Sequence, residues 1–88
     1  MTLTGDEVLR HLGAELGCDV AGAGPASPLF SAGIVDSFAL VALVSFIEAR
    51  TGITILPEDM TLENLDSAER ILAFVERARA RARADAAG

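Results

Sequence analysis

Residues 29–38 read Leu-Phe-Ser-Ala-Gly-Ile-Val-Asp-Ser-Phe, and they lead from a loop into the most apolar helix that the sequence predicts. Asp36 suits the N-cap position, where a side-chain oxygen accepts hydrogen bonds from the free amides of the first turn. The helix is predicted to run from Ser37 to about Arg50 and to end at Gly52. Ser37 therefore carries an exposed hydroxyl directly behind an acid, beside the positive end of a helix dipole.

This second helix is predicted to be apolar on two faces. The core face has apolar residues at i, i+3, i+4 and i+7, namely Leu40, Leu43, Val44 and Ile47. The opposite face is barely polar and consists of Phe38, Val41, Ala42, Ser45 and Ala49. A small protein can hardly cover one helix on every side, so part of the second face is expected to be exposed as a partner site.

A first helix is predicted from a capping-box pattern, with Thr4 as the N-cap and Glu7 three residues later. Its apolar residues fall together and are Val8, Leu9, Leu12 and Leu16. Gly17 suits the C-terminal stop. Glycines and prolines break any period from residue 18 to 35, which predicts a long loop. The residues expected to tie this loop to the core are Leu29, Phe30, Ile34 and Val35.

The chain after Gly52 predicts little regular structure before a last helix. Residues 53–56 are interpreted as an extended loop packed on the core. Residues 61–65 are interpreted as one helical turn, with Leu62 and Leu65 facing inward.

A last helix is predicted to begin at a cap supplied by Asp66 or Ser67. Its apolar stripe is expected to comprise Ile71, Leu72, Val75 and Ala78, with Phe74 at its side. Alanine and arginine favour helix, so this helix is predicted to persist into residues 79–83. About residues 79–88 are expected to form a frayed helix end or a disordered tail.

The composition indicates a single domain spanning residues 1–88, and 51% hydrophobic residues argue against disorder. With one cysteine no internal disulfide can form, and a cytoplasmic location is expected. The N-terminus lacks a signal-peptide pattern, and the longest apolar run, residues 38–47, is shorter than the about 20 residues that span a bilayer. The predicted fold class is all-α: a small bundle of three main helices plus one short helix, with a long loop between helices 1 and 2.

Charge is unevenly distributed along the chain. Residues 1–69 hold eleven acids against two arginines, whereas residues 70–88 hold five arginines against two acids. An acidic body repels nucleic acid and attracts basic protein surfaces. The arginines near the C-terminus fit a helix end better than a nucleic-acid arm, because cations there complement the helix dipole. We therefore expect no nucleic-acid partner.

Few residues could support catalysis or hold a metal ion. Asp36 and Ser37 are adjacent in sequence and lack the intervening imidazole that a serine–base relay needs. His11 lies in the first helix and is expected to be a partly exposed surface residue, while Cys18 is a lone loop thiol. One histidine and one cysteine cannot supply a structural zinc set, and the acids at 58–59 lack calcium-loop spacing. We predict neither catalysis nor a metal site.

The stretch from Leu29 to Phe38, followed by an apolar helix of about four turns, resembles the modification site of the acyl and peptidyl carrier proteins. The similarity continues through Val75. In that family the serine after the aspartate carries phosphopantetheine, derived from coenzyme A, through a phosphodiester. The resemblance implies that Ser37 is the attachment residue. It also implies that Asp36 caps the helix and helps to position the metal and coenzyme A of the modifying transferase.

The same resemblance implies a carrier that is not itself an enzyme and that acts as a monomer. Its arm would hold an acyl or aminoacyl group as a thioester. Its implied partners are a phosphopantetheinyl transferase, an adenylating ligase or acyltransferase, and downstream synthase, condensing or tailoring enzymes. The expected partner face consists of Phe38, Val41, Ala42, Ser45 and Glu48.

Two departures from the family pattern indicate which kind of carrier the chain resembles. Many fatty-acid carriers have one residue between the glycine and the Asp-Ser pair, whereas Ile34 and Val35 intervene here. This spacing is more similar to free-standing carriers loaded by a dedicated ligase, such as D-alanyl carriers, and to carriers of unusual polyketide extender units. The partner face also lacks the several acids of fatty-acid carriers, with Glu48 alone nearby.

These departures favour a carrier of specialised metabolism, of the polyketide, nonribosomal-peptide or antibiotic type. Two alternatives stay open. One is a carrier of primary fatty-acid synthesis. The other is a small helical interaction module in which Ser37 is only a cap.

Overall fold

Four α-helices build the fold, and the computed structural model describes residues 3–87 of the chain. In chain order the helices are α1 (Gly5–Ala14), α2 (Ser37–Thr51), α3 (Leu62–Leu65) and α4 (Ala68–Ala87), with a 3₁₀ turn at Pro57–Asp59. Within the described residues there is no β-strand. The predicted all-α bundle of three main helices and one short helix, with a long loop after the first, is confirmed.

The capping box that predicts α1 is present. The Thr4 hydroxyl accepts a hydrogen bond from the Glu7 amide at 3.2 Å, and the Glu7 carboxylate accepts one from the Thr4 amide at 3.3 Å. The other oxygen of that carboxylate pairs with Arg50 near the end of α2. One side chain thus both starts α1 and ties it to α2.

The end of α1 differs from the prediction. The helix stops at Ala14, and Gly17, with φ at +68°, lies in the turn that follows. The Cys18 amide donates to the Leu12 carbonyl at 2.9 Å across this turn. The glycine is needed because this left-handed conformation is strained for residues with a Cβ.

The core lies where α1 and α4 pack together and α2 closes over α1. Val8 and Leu12 from α1, Leu43 and Ile47 from α2, and Ile71 from α4 are fully buried. The loop between α1 and α2 joins this core as predicted, with Leu29 and Val35 buried and Phe30 and Ile34 partly buried.

Phe74 corrects the predicted stripe of α4. The sequence places it at the side of the helix, but its side chain is only 2% exposed, whereas Leu72 is only partly buried. The buried seam runs through Ile71, Phe74, Val75 and Ala78, which again follow the spacing i, i+3, i+4 and i+7. Both registers satisfy helical periodicity, and packing against α1 and α3 selects this one.

Leu62 is a second correction. Leu65 faces inward as predicted, but the Leu62 side chain is 55% exposed. The short helix α3 packs chiefly on α4. Its first residue therefore lies at the rim of the bundle, where little of the core can reach it.

The connections around α3 and α4 follow the sequence in outline. Ile53 and Ile55 are buried in an extended segment, as predicted, and the acids at 58–59 lie in the 3₁₀ turn. Ser67 caps α4 by accepting a hydrogen bond from the Arg70 amide at 3.1 Å. Helix α4 then continues to Ala87, with residues 80–85 exposed. The fraying expected of residues 79–88 stays a prediction.

Candidate functional site

Ser37 is the first residue of α2, and Asp36 caps that helix. Asp36 has an extended backbone, and its Oδ1 accepts a hydrogen bond from the Ala39 amide at 2.9 Å. The prediction for this helix start is therefore confirmed. Ser37 is exposed, and its hydroxyl has no hydrogen-bond partner among residues 3–87. The start of α2 thus presents a free alcohol beside a carboxylate and unpaired helix amides.

The loop before Ser37 is held by its own backbone. The Leu29 carbonyl accepts hydrogen bonds from the Ile34 and Val35 amides at 2.9 and 3.1 Å, and the Phe30 carbonyl accepts one from Gly33 at 3.0 Å. Gly33 has φ at +78°, a left-handed conformation that favours glycine. This tight turn, together with the buried Val35 side chain, sets the direction in which the chain enters α2.

An open groove of about 420 Å³ lies next to Ser37, between the end of α1 and the start of α2. Its lining residues come from three short segments and are Leu16, Gly17, Cys18, Asp19, Ala32, Gly33, Ile34, Asp36, Phe38 and Ala39. Burial raises the pKa of the Cys18 thiol above its ordinary value, and the nearby Asp36 carboxylate raises it further. The thiol is therefore protonated at neutral pH and a poor nucleophile.

His11 does not belong to this site. Its ring stacks on Phe46, with centroids 3.9 Å apart and planes 9° from parallel. Phe46 lies nine residues beyond Ser37, about 13 Å along the helix axis. The imidazole is partly buried between α1 and α2, close to the Arg50–Glu7 ion pair. His11 is therefore too far from Ser37 to act as its general base.

The apolar face predicted on α2 is exposed near Ser37. Phe38 is 83% exposed and Val41 is 67% exposed, while Ser45 is exposed and Ala42 partly buried. Glu48 is partly buried, and its carboxylate accepts a hydrogen bond from the Ile55 amide at 2.8 Å. This hydrogen bond ties the only acidic side chain of the predicted partner face to the loop that follows α2.

A smaller apolar cleft of about 130 Å³ opens between α2 and α3. It is lined by Phe30, Leu40, Met60, Thr61, Leu62 and Leu65. The side chains of Met60 and Leu62, which line this cleft together with Leu40 of α2, are exposed. The exposure of Leu62, which was not predicted, therefore adds an apolar side chain to the surface around the cleft.

Asp66 is a residue near the site to which the sequence assigned only a cap. Its Oδ1 accepts hydrogen bonds from the amides of Leu29, Phe30 and Ser31 at 3.2, 2.8 and 2.9 Å, and its Oδ2 accepts one from the Ser31 hydroxyl at 2.7 Å. Burial alone would raise the pKa of this carboxyl, but the hydrogen bonds from Ser31, Phe30 and Leu29 outweigh burial and hold the pKa below its ordinary value. The one sequence signal for this role was the adjacent Ser67. Because Ser67 alone can cap α4, the Asp66 side chain is available for another contact.

The described residues offer little else that bears on function. Within residues 3–87, no group of three or more His, Cys, Asp or Glu side chains is arranged to hold a metal ion. In the same range, no helix has the length and apolar character needed to cross a membrane.

A small helical bundle that presents an exposed serine at the capped start of its second helix has the layout of a carrier domain. A comparison with protein families supports this class, because the model described as "Phosphopantetheine attachment site" matches residues 6–75. The chain therefore belongs to the phosphopantetheine attachment site family, as the resemblance predicted. A comparison with curated proteins finds no match.

Membership of this family establishes the cofactor and the general role. The family attaches a phosphopantetheine prosthetic group, which confirms the predicted cofactor. Its members are carrier domains, and such domains interact with phosphopantetheinyl transferases and with synthase enzymes.

Proposed function

We propose that Ser37 is the phosphopantetheine attachment residue and that the protein carries acyl or aminoacyl groups between enzymes of specialised metabolism. One observation carries the proposal: the Ser37 hydroxyl is exposed and unpartnered at the capped start of α2, within the residues that match the family. When attached, phosphopantetheine supplies a terminal thiol that holds the cargo as a thioester. We propose no catalytic role for the chain itself.

The residues around Ser37 fit this group. The hydroxyl is open to a transferase, and the N-terminus of α2 favours a phosphate beside it. Asp36 is committed to the Ala39 amide through one oxygen, which leaves the other free to face the solvent and an incoming metal ion. The open groove beside Ser37 provides space for an attached arm next to the protein surface.

The exposed face of α2 supports a specialised carrier over a primary fatty-acid carrier. Phe38 and Val41 dominate this face, Ala42 and Ser45 add no charge, and Glu48 is bound to the Ile55 amide. A partner that recognises several acids would find few here, whereas an apolar partner could bury both large side chains. We therefore propose a dedicated adenylating ligase or acyltransferase, followed by condensing or tailoring enzymes, as partners of a monomeric cytoplasmic carrier.

The test is intact-mass measurement after incubation with coenzyme A and a broad-specificity phosphopantetheinyl transferase. Wild type is expected to gain the mass of one phosphopantetheine, and Ser37→Ala is expected to gain nothing. Thr54→Ala, which removes an exposed hydroxyl outside the expected partner face, is the matched control and should be modified like wild type. An unmodified wild type would reject the carrier function and favour the interaction module. Modification of Ser37→Ala would reject the assigned residue.

A primary fatty-acid carrier is distinguished by its loading. A panel of adenylating ligases with amino and carboxylic acids should load the modified protein. Enzymes of generic fatty-acid synthesis should act on it poorly. If the fatty-acid enzymes act efficiently on the modified protein, a primary fatty-acid carrier would be favoured over a specialised one.

A further inference from the structure

We propose that Asp66 is a positioning residue for Ser37, because its carboxylate fixes the loop that delivers Ser37 to the modifying transferase. The inference rests on the proposed attachment at Ser37. Asp66, which lies between α3 and α4, would thus affect how well the transferase recognises the start of α2.

The Asp66 carboxylate accepts four hydrogen bonds from one loop. Three consecutive backbone amides, at Leu29, Phe30 and Ser31, converge on Oδ1, and the Ser31 hydroxyl binds Oδ2. The Leu29 amide also lies 2.6 Å from the Asp66 backbone carbonyl. These bonds join residues at least 35 positions apart in sequence. Hydrogen bonds to a charged acceptor are about twice as strong as neutral ones.

Backbone hydrogen bonds connect the residues bound by Asp66 to the turn before Ser37. The carbonyls of Leu29 and Phe30, whose amides bind Asp66, accept the hydrogen bonds that close the turn at residues 33–35. Asp36 and Ser37 follow that turn directly. The chain from Asp66 to the start of α2 is therefore a continuous series of hydrogen bonds, with the buried side chains of Leu29 and Val35 on its inner side.

The Asp66 side chain is not needed to cap either of the helices beside it. Helix α4 is capped by the Ser67 hydroxyl, which binds the Arg70 amide. Helix α3 is capped by the Thr61 hydroxyl, which binds the Asn64 amide. Every side-chain hydrogen bond of Asp66 among residues 3–87 goes to the loop at 29–31. The carboxylate therefore acts on that loop and not on its own helices.

Loss of this contact has a definite kinetic consequence. If the loop populates other conformations, only a fraction of the molecules presents Ser37 correctly, and the apparent affinity for the transferase falls by that fraction. Once bound, the serine reacts as before. Removal of the carboxylate should thus raise KM for the carrier about tenfold or more and leave kcat within about twofold.

The experiment uses the full chain without its arm, a phosphopantetheinyl transferase and coenzyme A. We compare wild type, Asp66→Ala, Asp66→Asn and Ser31→Ala. The matched control is Asp59→Asn, because among residues 3–87 the Asp59 carboxylate binds the nearby Leu56 amide alone and makes no hydrogen bond to the loop at 29–31. For each protein, kcat and KM are measured below the unfolding transition, and hydrogen exchange is followed at the amides of residues 29–31.

Asp66→Ala is expected to raise KM and to speed exchange at residues 29–31, while amides in the core of α2 stay protected. Asp66→Asn should restore most of the affinity, because its amide oxygen can still accept the three backbone hydrogen bonds. Ser31→Ala removes one bond and should raise KM about threefold. Asp59→Asn should match wild type in both measurements.

Two results would overturn the inference while the carrier function stands. One is a wild-type KM in all Asp66 variants. The other is a loss of activity that only follows the folded fraction, with KM unchanged. If Asp66→Ala does not fold, Asp66→Asn and Ser31→Ala decide, and a KM equal to that of Asp59→Asn in both overturns it. Failure of wild type to be modified would instead reject the proposed function.

Discussion

Substitution of Asp36 separates its structural contribution from its proposed contribution to modification. Asp36→Ala removes the bond to the Ala39 amide that begins α2. Loss of an N-cap costs about 1 kcal/mol. For a domain of 88 residues, unfolding entropy is about 0.18 kcal/mol/K, so the melting temperature should fall by about 5 °C. Asp36→Asn keeps a good N-cap and should melt within about 2 °C of wild type.

Modification should respond differently to the same pair. Both variants lose the carboxylate charge that we propose helps to position the transferase's metal ion and coenzyme A. Both should therefore be modified with a kcat/KM at least about tenfold lower than wild type, a cost of about 1.4 kcal/mol in the transition state. Thermal melts by circular dichroism and initial rates by intact mass measure the two effects on the same samples.

Thr4→Ala is the matched control for these measurements. Thr4 caps α1 through the same kind of bond, to the Glu7 amide, and lies outside the groove beside Ser37. It should lower the melting temperature by a similar amount and leave modification unchanged. A wild-type melting temperature for Asp36→Ala would refute the capping argument. If Asp36→Asn is modified at the wild-type rate, the proposal that the Asp36 charge assists modification is refuted.

Three further predictions test the partner face, the core and the Asp66 carboxylate. Val41→Asp should change the free energy of unfolding by no more than about 0.5 kcal/mol, since Val41 is 67% exposed, but it should lower loading by the cognate ligase about tenfold. The control is Ala73→Asp, at an exposed position of α4. Equal loading of both variants would exclude the α2 face as the binding surface. Phe74→Ala should cost about 3–5 kcal/mol in urea denaturation and Leu72→Ala distinctly less, and the reverse order would contradict the buried seam of α4. The folded-state pKa of Asp66 is lowered, so its charged form contributes stability above the unfolded pKa of about 3.9, and this stability is lost as pH falls through the folded pKa. Urea denaturation should therefore show a gap between wild type and Asp66→Asn that is constant from pH 5 to 7 and shrinks below about pH 4, whereas a gap that widens with acid would disprove the argument.

The two faces of α2 show how the sequence can predict a function without predicting its geometry. The core face and the opposite apolar face were both readable from spacing, and the excess of apolar residues over what a small core can cover indicated an exposed surface. The exposure of Met60 and Leu62 beside Leu40 was not readable, because it depends on α3 lying at the rim of the bundle. The hydrogen bond between Glu48 and Ile55 likewise depends on how the chain folds back after Gly52.

The helix starts, and the stop of α2, are the part of this protein that the sequence by itself determined. The caps at Thr4 and Asp36 and the glycine at residue 52 act through hydrogen bonds or backbone angles within about four residues, so the local pattern is sufficient to predict them. The stretch from Leu29 to Phe38, followed by the apolar helix, predicted the carrier family and placed Ser37 at an exposed helix start.

Contacts between distant segments were decided only by the tertiary structure. Asp66 could have capped α4, and Phe74 could have lain at the side of its helix, because each local alternative is compatible with a helix. The choice was made where segments meet: the amides of residues 29–31 reach Asp66, and the seam of α4 closes over Phe74. Hydrogen-bond satisfaction and close packing act between residues far apart in sequence, so the three-dimensional arrangement alone assigns Asp66 to the loop that presents Ser37.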